Sequence, residues 1–208
     1  EYIFKHALAE EVAYNSLLIR RRKEIHEKIG KAIEEIYQDR LEEFYEILAY
    51  HYAKSDNSKK AYQYLVFAGK KATRNYSNWE ALQFYRRAID VLDRMPSTDS
   101  NHRKGLQVRI FLAKPAMFLS YPGDSIDVLK VGVKLAREVG DIKSLSNLDG
   151  TLAHAYAIKG DSILAIEHAE KCFQGAQKIQ NLDLMAPVAR DLTSAYMFAG
   201  ELTKTVPI

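Results

Sequence analysis

The most constraining feature of this 208-residue sequence is an internal repeat in its second half. The segment LAHAYAIKGDSILAIEHAEKC (152–172) is echoed by LTSAYMFAGELTKT (192–205), and a weaker copy, YPGDSIDVLKVGVKLAREVGD (121–141), precedes both. The recurring positions are Leu152, Tyr156 and Gly160 and, 40 residues later, Leu192, Tyr196 and Gly200. Repetition at this period is typical of stacked helix pairs, because a single pair cannot bury its apolar face alone. The sequence therefore predicts an all-α solenoid.

The first half of the chain carries helical apolar stripes without an obvious repeat. Ile25, Ile29, Ile33 and Ile36 recur at steps of four, four and three, which predicts a helix over about 20–37 that buries this isoleucine face. Three further stripes follow: Leu41, Phe44, Leu48 and Tyr52; Ala61, Leu65, Ala68 and Ala72; Ala81, Tyr85, Ala88 and Leu92. The breaks SDNS (55–58) and NYSN (75–78) are short, so successive helices are expected to be antiparallel neighbours.

The loop-like segment MPSTDSN (95–101) divides the chain. We expect a helical linker over 1–38 that follows a missing winged-helix-like module, a first set of repeat helices over 39–95 and further repeats over 96–208. The last repeat is expected to be truncated, which predicts a homodimer formed through the C-terminal end. The first residue is Glu rather than Met, which suggests an excised fragment.

Composition excludes several classes of function. Lys and Arg number 30 against 27 Asp and Glu, so the net charge of +3 lacks the one-sided excess of a nucleic-acid or membrane binder. No apolar run approaches the roughly 20 residues of a membrane span. The lone cysteine, Cys172, excludes an internal disulfide framework, and we expect a cytoplasmic location.

Two sets of residues resemble tetratricopeptide repeats, whose motif combines small, aromatic and large apolar positions at fixed spacing. They are Ala49, Tyr52, Ala61, Leu65 and Ala68, and Ala153, Tyr156, Ala165 and Cys172. The second set has Ala169 where the motif has a large residue, and the closing proline is absent. The resemblance implies a right-handed superhelical solenoid of antiparallel helix pairs, built from divergent repeats.

The opening of the chain is similar to the region that follows the ATPase module in bacterial STAND-type signalling ATPases, some linked to adenylate or guanylate cyclase domains and others to transcription-regulator domains. The matching segments are YIFKHAL, EVAYNSLL and RRKEIHEKIGKAIEE, then LAYHYAKSDNSKKAYQYLVFAGKKA and NWEALQFYRRAI. The resemblance implies a sensor or scaffold region of an ATP-binding multidomain regulator, with the ATPase or cyclase chemistry outside this chain. It assigns an interdomain joint to Phe4, His6, Arg21, Arg22 and His26.

In such a solenoid the concave face binds a protein, a peptide or the ATPase module of the same polypeptide. The repeat register predicts that this face carries Tyr50, Lys70, Arg74, Lys114, His154 and Arg190. Because several of these residues are basic, an acidic partner is expected.

Two further sequence patterns suggest a binding site, but each has a simpler explanation. Four consecutive basic residues, Arg20 to Lys23, sweep about 300° around a helix and so do not form a nucleic-acid stripe. His168 and Cys172 have a metal-ligand spacing but lack a second pair, so a packed thiol is favoured over zinc. No catalytic motif is present, and no cofactor is expected. A small-molecule sensor pocket near 95–125, where Pro115 is expected to interrupt or kink a helix, remains the alternative function.

Overall fold

Residues 18–198, the part of the chain that the computed structural model describes, form nine α-helices and one 3₁₀ segment and contain no strand. The helices are α1 (Ile19–Ile36), α2 (Tyr45–Ala53), α3 (Ser58–Arg74), α4 (Asn78–Asp93), α5 (Asp99–Phe118), α6 (Ser125–Val139), α7 (Ile142–Lys159), α8 (Ser162–Lys178) and α9 (Leu182–Phe198), with the 3₁₀ segment Gln38–Phe44 between α1 and α2. The all-α class predicted from the repeat is confirmed.

Polar caps explain where the helices begin and end. The side chains of five residues accept a hydrogen bond from the backbone N–H three positions on, and so satisfy an amide that has no partner within its helix. These N-caps are Asn57, Thr98, Asp141, Asp161 and Asn181. Gly140 and Gly160 end α6 and α7 in the left-handed conformation, with φ of 71° and 81°. Gly160, a recurring position of the repeat, is therefore a helix C-cap.

Each helix packs against the next one in the chain, and one series of alternate helices also makes contact across the repeats. Helices α3, α5, α7 and α9 touch in succession, whereas α4, α6 and α8 do not contact one another to a similar extent. The first series is therefore the inner layer of the right-handed solenoid, and α4, α6 and α8 form the outer layer. The inner layer provides the concave face.

A continuous apolar core runs from α2 to α7, and a second cluster joins α7, α8 and α9. The predicted stripes of α3 and α4 are buried, and Tyr52, Tyr64 and Tyr85 lie in the core. Close packing depends on glycine at one point in particular. A Cβ atom on Gly69 would lie 2.5 Å from Cε1 of Tyr85, so α3 and α4 approach this closely only because residue 69 has no side chain.

The prediction for the buried face of α1 was wrong by about one residue. Ile29 is half-exposed and Ile36 is 70% exposed, whereas His26 and Gly30 are the buried residues of this helix. The reason is the ring of Tyr52, which lies against Gly30 so closely that a Cβ there would be 2.8 Å from Cζ. Because a large aromatic ring needs a gap, the helix turns Gly30 toward α2, and of the predicted face Ile33 still packs against the core.

Two other local predictions differ from the structure. Leu41 and Phe44 were expected to continue the stripe of α2, but they lie in the 3₁₀ segment, which Arg40 interrupts with φ −141° and ψ 35°. The ring of Phe44 stacks on Tyr37 with centroids 4.0 Å apart, and this contact holds the bend. Pro115 lies inside α5 and does not interrupt it, since the helix continues to Phe118.

No helix among residues 18–198 combines the length and the apolar character needed to cross a membrane.

Candidate functional site

A cavity of about 560 Å³ lies between the inner helices α5, α7 and α9 and the outer helix α8. One wall comes from α5 and the turn after it, with Ala113, Met117 and Tyr121. The opposite wall comes from α9, with Leu184, Val188 and other residues. We call this cavity the inner groove.

The bottom of the inner groove is made of small side chains on α7 and α8. These residues are Gly150, Ala153, Ala165 and Ala169. Small residues at the contact of two helices bring the backbones together and leave free volume above them. The groove therefore has an apolar bottom that suits an apolar side chain, and its size lies within the usual range for ligand sites.

His154 is held at the groove by a tyrosine from the turn after α5. The hydroxyl of Tyr121 lies 3.0 Å from Nδ1 of His154 and 3.4 Å from the carbonyl oxygen of Thr151. Burial raises the pKa of Tyr121 to about 12, so its hydroxyl stays protonated at neutral pH. Tyr121 has φ of 55°, a left-handed conformation that is unusual for a residue with a side chain. The turn therefore positions this ring to orient His154 at the surface of the groove.

Cys172 lies below the groove and is 2% exposed. Burial, with Asp149 nearby, raises the pKa of this thiol to about 11, so it is protonated at neutral pH and is a poor nucleophile or metal ligand. Asp149 is buried and accepts a hydrogen bond from Nδ1 of His168 at 2.8 Å, and the His168 ring stacks on Tyr156. These polar contacts join α7 to α8 below the groove.

Of the six residues predicted for the concave face, five lie on the inner helices. Lys70 and Arg74 are on α3, Lys114 on α5, His154 on α7 and Arg190 on α9. Tyr50 is on α2, which is not part of this series. The ammonium of Lys54 lies 4.4 Å from the centroid of the Tyr50 ring. Only His154 lines the inner groove, and the assignment of the other residues to a partner site stays a prediction.

Three basic residues predicted for the concave face contact other side chains of the chain. Arg74 forms an ion pair with Glu42, and Arg190 with Asp191 at 3.2 Å. The ammonium of Lys70 lies 4.3 Å from the ring centroid of Phe111.

Sequence reasoning missed most of the groove lining. The polar residues that it did not name are Tyr121, Asn147, Thr151, Asp183 and Asp191. The sequence of α7 did contain a pattern that indicates two of them. Asn147, Thr151 and His154 are spaced by four and three residues and therefore share one face of a helix. Following this face from His154 toward the N-terminus of α7 would have identified Thr151 and Asn147.

The proposed joint between α1 and the repeats is partly described. Phe4 and His6 lie outside the described residues. Arg21 is exposed and pairs with Glu24 at 3.1 Å, as expected of a helix surface. His26 is buried, with its Nδ1 atom 2.9 Å from Nδ1 of His51 on α2.

Acid is expected to weaken the joint through this histidine pair. Burial, together with the charge of Lys54, lowers the pKa of both His26 and His51 below 6.5, so folding favours their neutral forms. Their contribution to the free energy of unfolding is therefore full above about pH 6.5 and is lost as the pH falls through the folded-state pKa. Urea titrations at pH 7.5 and pH 5 should show this loss.

The replacement His51→Gln keeps a hydrogen-bonding side chain and should reduce the pH dependence, whereas Lys54→Gln should reduce it less, because burial remains. An unchanged pH dependence in His51→Gln would contradict the assignment.

Among residues 18–198, no group of three or more His, Cys, Asp or Glu side chains is placed to hold a metal ion.

Comparison with solved structures gives helical repeat proteins. One is a putative kinesin light chain from Podospora anserina with nearly identical TPR-like repeats. It has a TM-score of 0.62 and 16% sequence identity to this chain, and the match covers 92% of both chains. A Rap protein complexed with competence and sporulation factor has a TM-score of 0.57 at 12% identity, covering 93% of this chain. Aspartyl phosphate phosphatase F from Bacillus subtilis has a TM-score of 0.57 at 12% identity, covering 83% of this chain and 51% of that one. The present chain spans about half (53%) of the Rap chain.

The fold is thus that of tetratricopeptide-like solenoids. No protein-family model matches the chain. No curated protein matches it in sequence.

Proposed function

We propose that this chain is a protein-interaction scaffold that binds a peptide or an extended segment of a partner in the inner groove. The observation that carries the proposal is the groove itself, an apolar cavity of about 560 Å³ at the contact of three inner helices. Solenoids use such concave faces for binding, because a curved row of helices presents a long surface to an extended chain. The complex of the structurally similar Rap protein supports an interaction role.

The charges of the lining suggest how a partner is oriented. Asp183 and Asp191 are both exposed at the α9 wall, and no lysine or arginine lines the cavity. An acidic partner, as predicted from the sequence, would therefore meet its cations beyond the cavity, at Lys70 on α3 and Lys114 on α5. In this arrangement an apolar side chain occupies the groove and acidic groups lie toward α3.

A random peptide array tests the proposal although the partner is unidentified. The labelled 208-residue chain is applied to immobilised random peptides, and bound sequences are resynthesised for titration. The variant Ala157→Arg places a long charged side chain at the rim of the groove, where residue 157 is exposed. We expect it to weaken peptide binding at least tenfold, because the side chain occupies the site and brings an unpaired charge to an apolar surface.

The matched control is Val131→Arg, which makes a similar change at a 44% exposed position on the outer helix α6. The control should bind as the unmodified chain does. Equal loss in both variants, or no enriched peptide, would reject the groove as a binding site.

The triple charge reversal of Lys70, Arg74 and Arg190 tests separately whether these residues bind the acidic groups of captured peptides. Unchanged binding of an acidic peptide would remove those residues from the site.

We further propose, from the resemblance of residues 1–95, that the chain is the sensor region of a multidomain signalling ATPase or nucleotide cyclase whose ATPase module is one partner. On this proposal the described residues catalyse no reaction, and the array ends in a surface that forms a homodimer.

A small-molecule sensor is the second candidate, since Ala113, Met117 and Tyr121, which lie within the predicted 95–125 segment, do line the cavity. A thermal shift with metabolites that Ala157→Arg abolishes would favour the sensor.

A further inference from the structure

The turn between α5 and α6, residues 119–124, has a strained backbone. Ser120 and Tyr121 both have φ of 55°, and Gly123 has φ of 57°. The left-handed region costs free energy for a residue with a Cβ atom, so two such residues in succession persist only where their surroundings hold them. The backbone N–H of Tyr121 donates to the carbonyl oxygen of Ala116 at 2.7 Å. This bond fixes the start of the turn on α5, and the other end needs a contact of its own.

Arg86 of the outer helix α4 provides that contact. Its Nη2 atom donates to the carbonyl oxygen of Pro122 at 3.1 Å and pairs with the carboxylate of Asp124. The same atom lies 3.4 Å from Oγ of Ser125, the first residue of α6. A Cβ atom on Gly123 would lie 3.4 Å from Nη2, so the guanidinium also lies against the left-handed glycine. Arg86 therefore connects α4 to the last part of the turn.

The main effect of Arg86 is on the shape of this turn. Its partner Asp124 is 62% exposed, and an exposed ion pair contributes little to stability. Its Nε atom is buried and has no hydrogen-bond partner within residues 18–198, which opposes folding. The contacts that remain are those with the backbone and the buried hydroxyl at the end of the turn. Arg86 thus holds the turn rather than forming a strong ion pair.

The turn in turn decides which nitrogen of His154 carries the proton. The hydroxyl of Tyr121 has one proton and two neighbours, the carbonyl oxygen of Thr151 at 3.4 Å and Nδ1 of His154 at 3.0 Å. The carbonyl oxygen can only accept, so both hydrogen bonds form together only when Tyr121 donates to Thr151 and accepts from Nδ1–H. His154 is then the Nδ1–H tautomer, and its Nε2 atom is an acceptor.

This acceptor belongs to the lining of the inner groove. His154 is exposed, lines the cavity and bonds to Tyr121 through Nδ1, which leaves Nε2 for a ligand. Thr151 beside it has also used its hydroxyl proton, because Oγ1 donates to the carbonyl oxygen of Asn147 at 2.9 Å. Two side chains on this face of α7 therefore offer acceptors, whereas a peptide backbone brings N–H donors.

We propose that Arg86 is a positioning residue for the inner groove. Through the turn and Tyr121 it holds His154 as the Nδ1–H tautomer, whose Nε2 atom accepts a hydrogen bond from an N–H group of the bound peptide. The inference rests on the proposed function of the groove and adds how a peptide is recognised there. Arg86 is not part of the cavity lining, so its effect on binding is indirect.

Nitrogen NMR of the free 208-residue chain tests the tautomer without a partner. In a chain labelled with ¹⁵N in its six histidines, the ring shifts at pH 8 distinguish protonated from unprotonated nitrogens, and His154→Gln identifies the signals of His154 by their loss. We expect the Nδ1–H form in the unmodified chain. Arg86→Gln should shift His154 toward the Nε2–H form that a free histidine favours. Tyr121→Phe, which removes the hydroxyl, should do the same.

Arg87→Gln is the matched control, because Arg87 is the next residue of α4 and is exposed. It should leave the tautomer unchanged. A mainly Nε2–H form in the unmodified chain would overturn the proposal, as would an effect of Arg86→Gln no larger than that of Arg87→Gln. Circular dichroism establishes that each variant is folded. Arg86→Lys keeps the charge near Asp124 and replaces Arg86→Gln if that variant is not folded; part of the shift is expected there, and its absence would overturn the proposal.

Peptides captured on the array test the role in binding. Arg86→Gln and Tyr121→Phe should each weaken peptide binding about fivefold, which corresponds to about 1 kcal/mol, whereas Arg87→Gln should change it less than about twofold. N-methylation of each peptide amide in turn should identify one N–H whose loss weakens binding to the unmodified chain more than to Tyr121→Phe. Equal losses in both chains at every amide would overturn the acceptor role of His154.

Failure of the proposed function has a different signature. An array without enriched peptides would reject binding in the groove, whereas the tautomer of His154 and its response to Arg86→Gln are measured in the free chain. A correct tautomer with no peptide would therefore reject the function and retain the role of Arg86 at the turn. Bound peptides with an Nε2–H His154 would retain the function and reject this inference.

Discussion

Replacement of Glu34 by alanine is expected to lower the free energy of unfolding by about 2–4 kcal/mol, because this carboxylate joins α1 to α2 and α3. It accepts hydrogen bonds from the hydroxyls of Tyr52, at 2.8 Å, and Tyr64, and it pairs with the ammonium of Lys60 at 2.7 Å. Its side chain is 18% exposed, so water replaces little of this network when the carboxylate is removed. Alanine would leave two buried tyrosine hydroxyls without their acceptor. Chemical denaturation followed by circular dichroism measures the loss.

Glu35→Ala is the control for this experiment, since Glu35 is the next residue of the same helix and is exposed. It should change the free energy of unfolding by less than about 0.5 kcal/mol. Equal effects of the two substitutions would contradict the role given to the Glu34 network. Hydrogen exchange adds a local measurement: in Glu34→Ala the amides of α1 should lose protection before those of α4, because α1 makes fewer contacts with the array.

The Glu34 network also has a pH signature. Burial opposes ionisation of this carboxyl, but the hydrogen bonds from Lys60, Tyr64 and Tyr52 outweigh it, and the pKa of Glu34 lies below its usual 4.5. A carboxylate with a lowered pKa stabilises the folded state above the unfolded-state pKa, and this contribution is lost as the pH falls through the folded value. The difference between Glu34→Ala and the unmodified chain should therefore shrink below about pH 4.5.

Leu148→Ala is expected to cost about 2–5 kcal/mol, the range for leucine truncation in a close-packed core. Leu148 lies on α7, is fully buried, and approaches Gly132 of α6 so closely that a Cβ there would be 3.1 Å from its Cδ1 atom. A cavity at this point lies between two successive helix pairs, where neighbouring repeats stabilise each other. Urea denaturation should therefore show a lower midpoint together with a broader or divided transition.

Leu182→Ala provides the comparison for the same substitution at a 74% exposed position in the first turn of α9. It should cost less than about 0.5 kcal/mol, because little apolar surface is buried there. A loss below about 1 kcal/mol in Leu148→Ala would mean that the contact between α6 and α7 is looser than the structure indicates.

Much of the fold was predictable because its determinants are local in sequence. The helical spacing of apolar residues placed α3 and α4, and the 40-residue recurrence of Leu152 and Tyr156 indicated a solenoid. The recurring Gly160 coincides with the end of α7, where it is the C-cap. These signals need only residues within a few turns of one another, since helix period and capping are set by backbone geometry.

The candidate sites were less predictable, because they depend on residues that are distant in the sequence. His154 was named from its repeat position, but the cavity beside it requires walls from α5 and α9, including Tyr121 and Asp183. Proximity of this kind is decided when helices pack.

The sequence by itself determined that the chain is a stack of antiparallel helices, where the breaks between α2, α3, α4 and α5 lie, and which residues of α3 and α4 are buried. Only the tertiary structure decided which face of α1 meets the repeats. Four isoleucines favoured one face, but the ring of Tyr52 fits against Gly30 and its hydroxyl reaches Glu34, so the buried face is shifted by about one residue and Ile29 and Ile36 are exposed. Helix formation depends on residues a turn apart, whereas orientation depends on the shape and hydrogen bonding of the surface against which the helix packs.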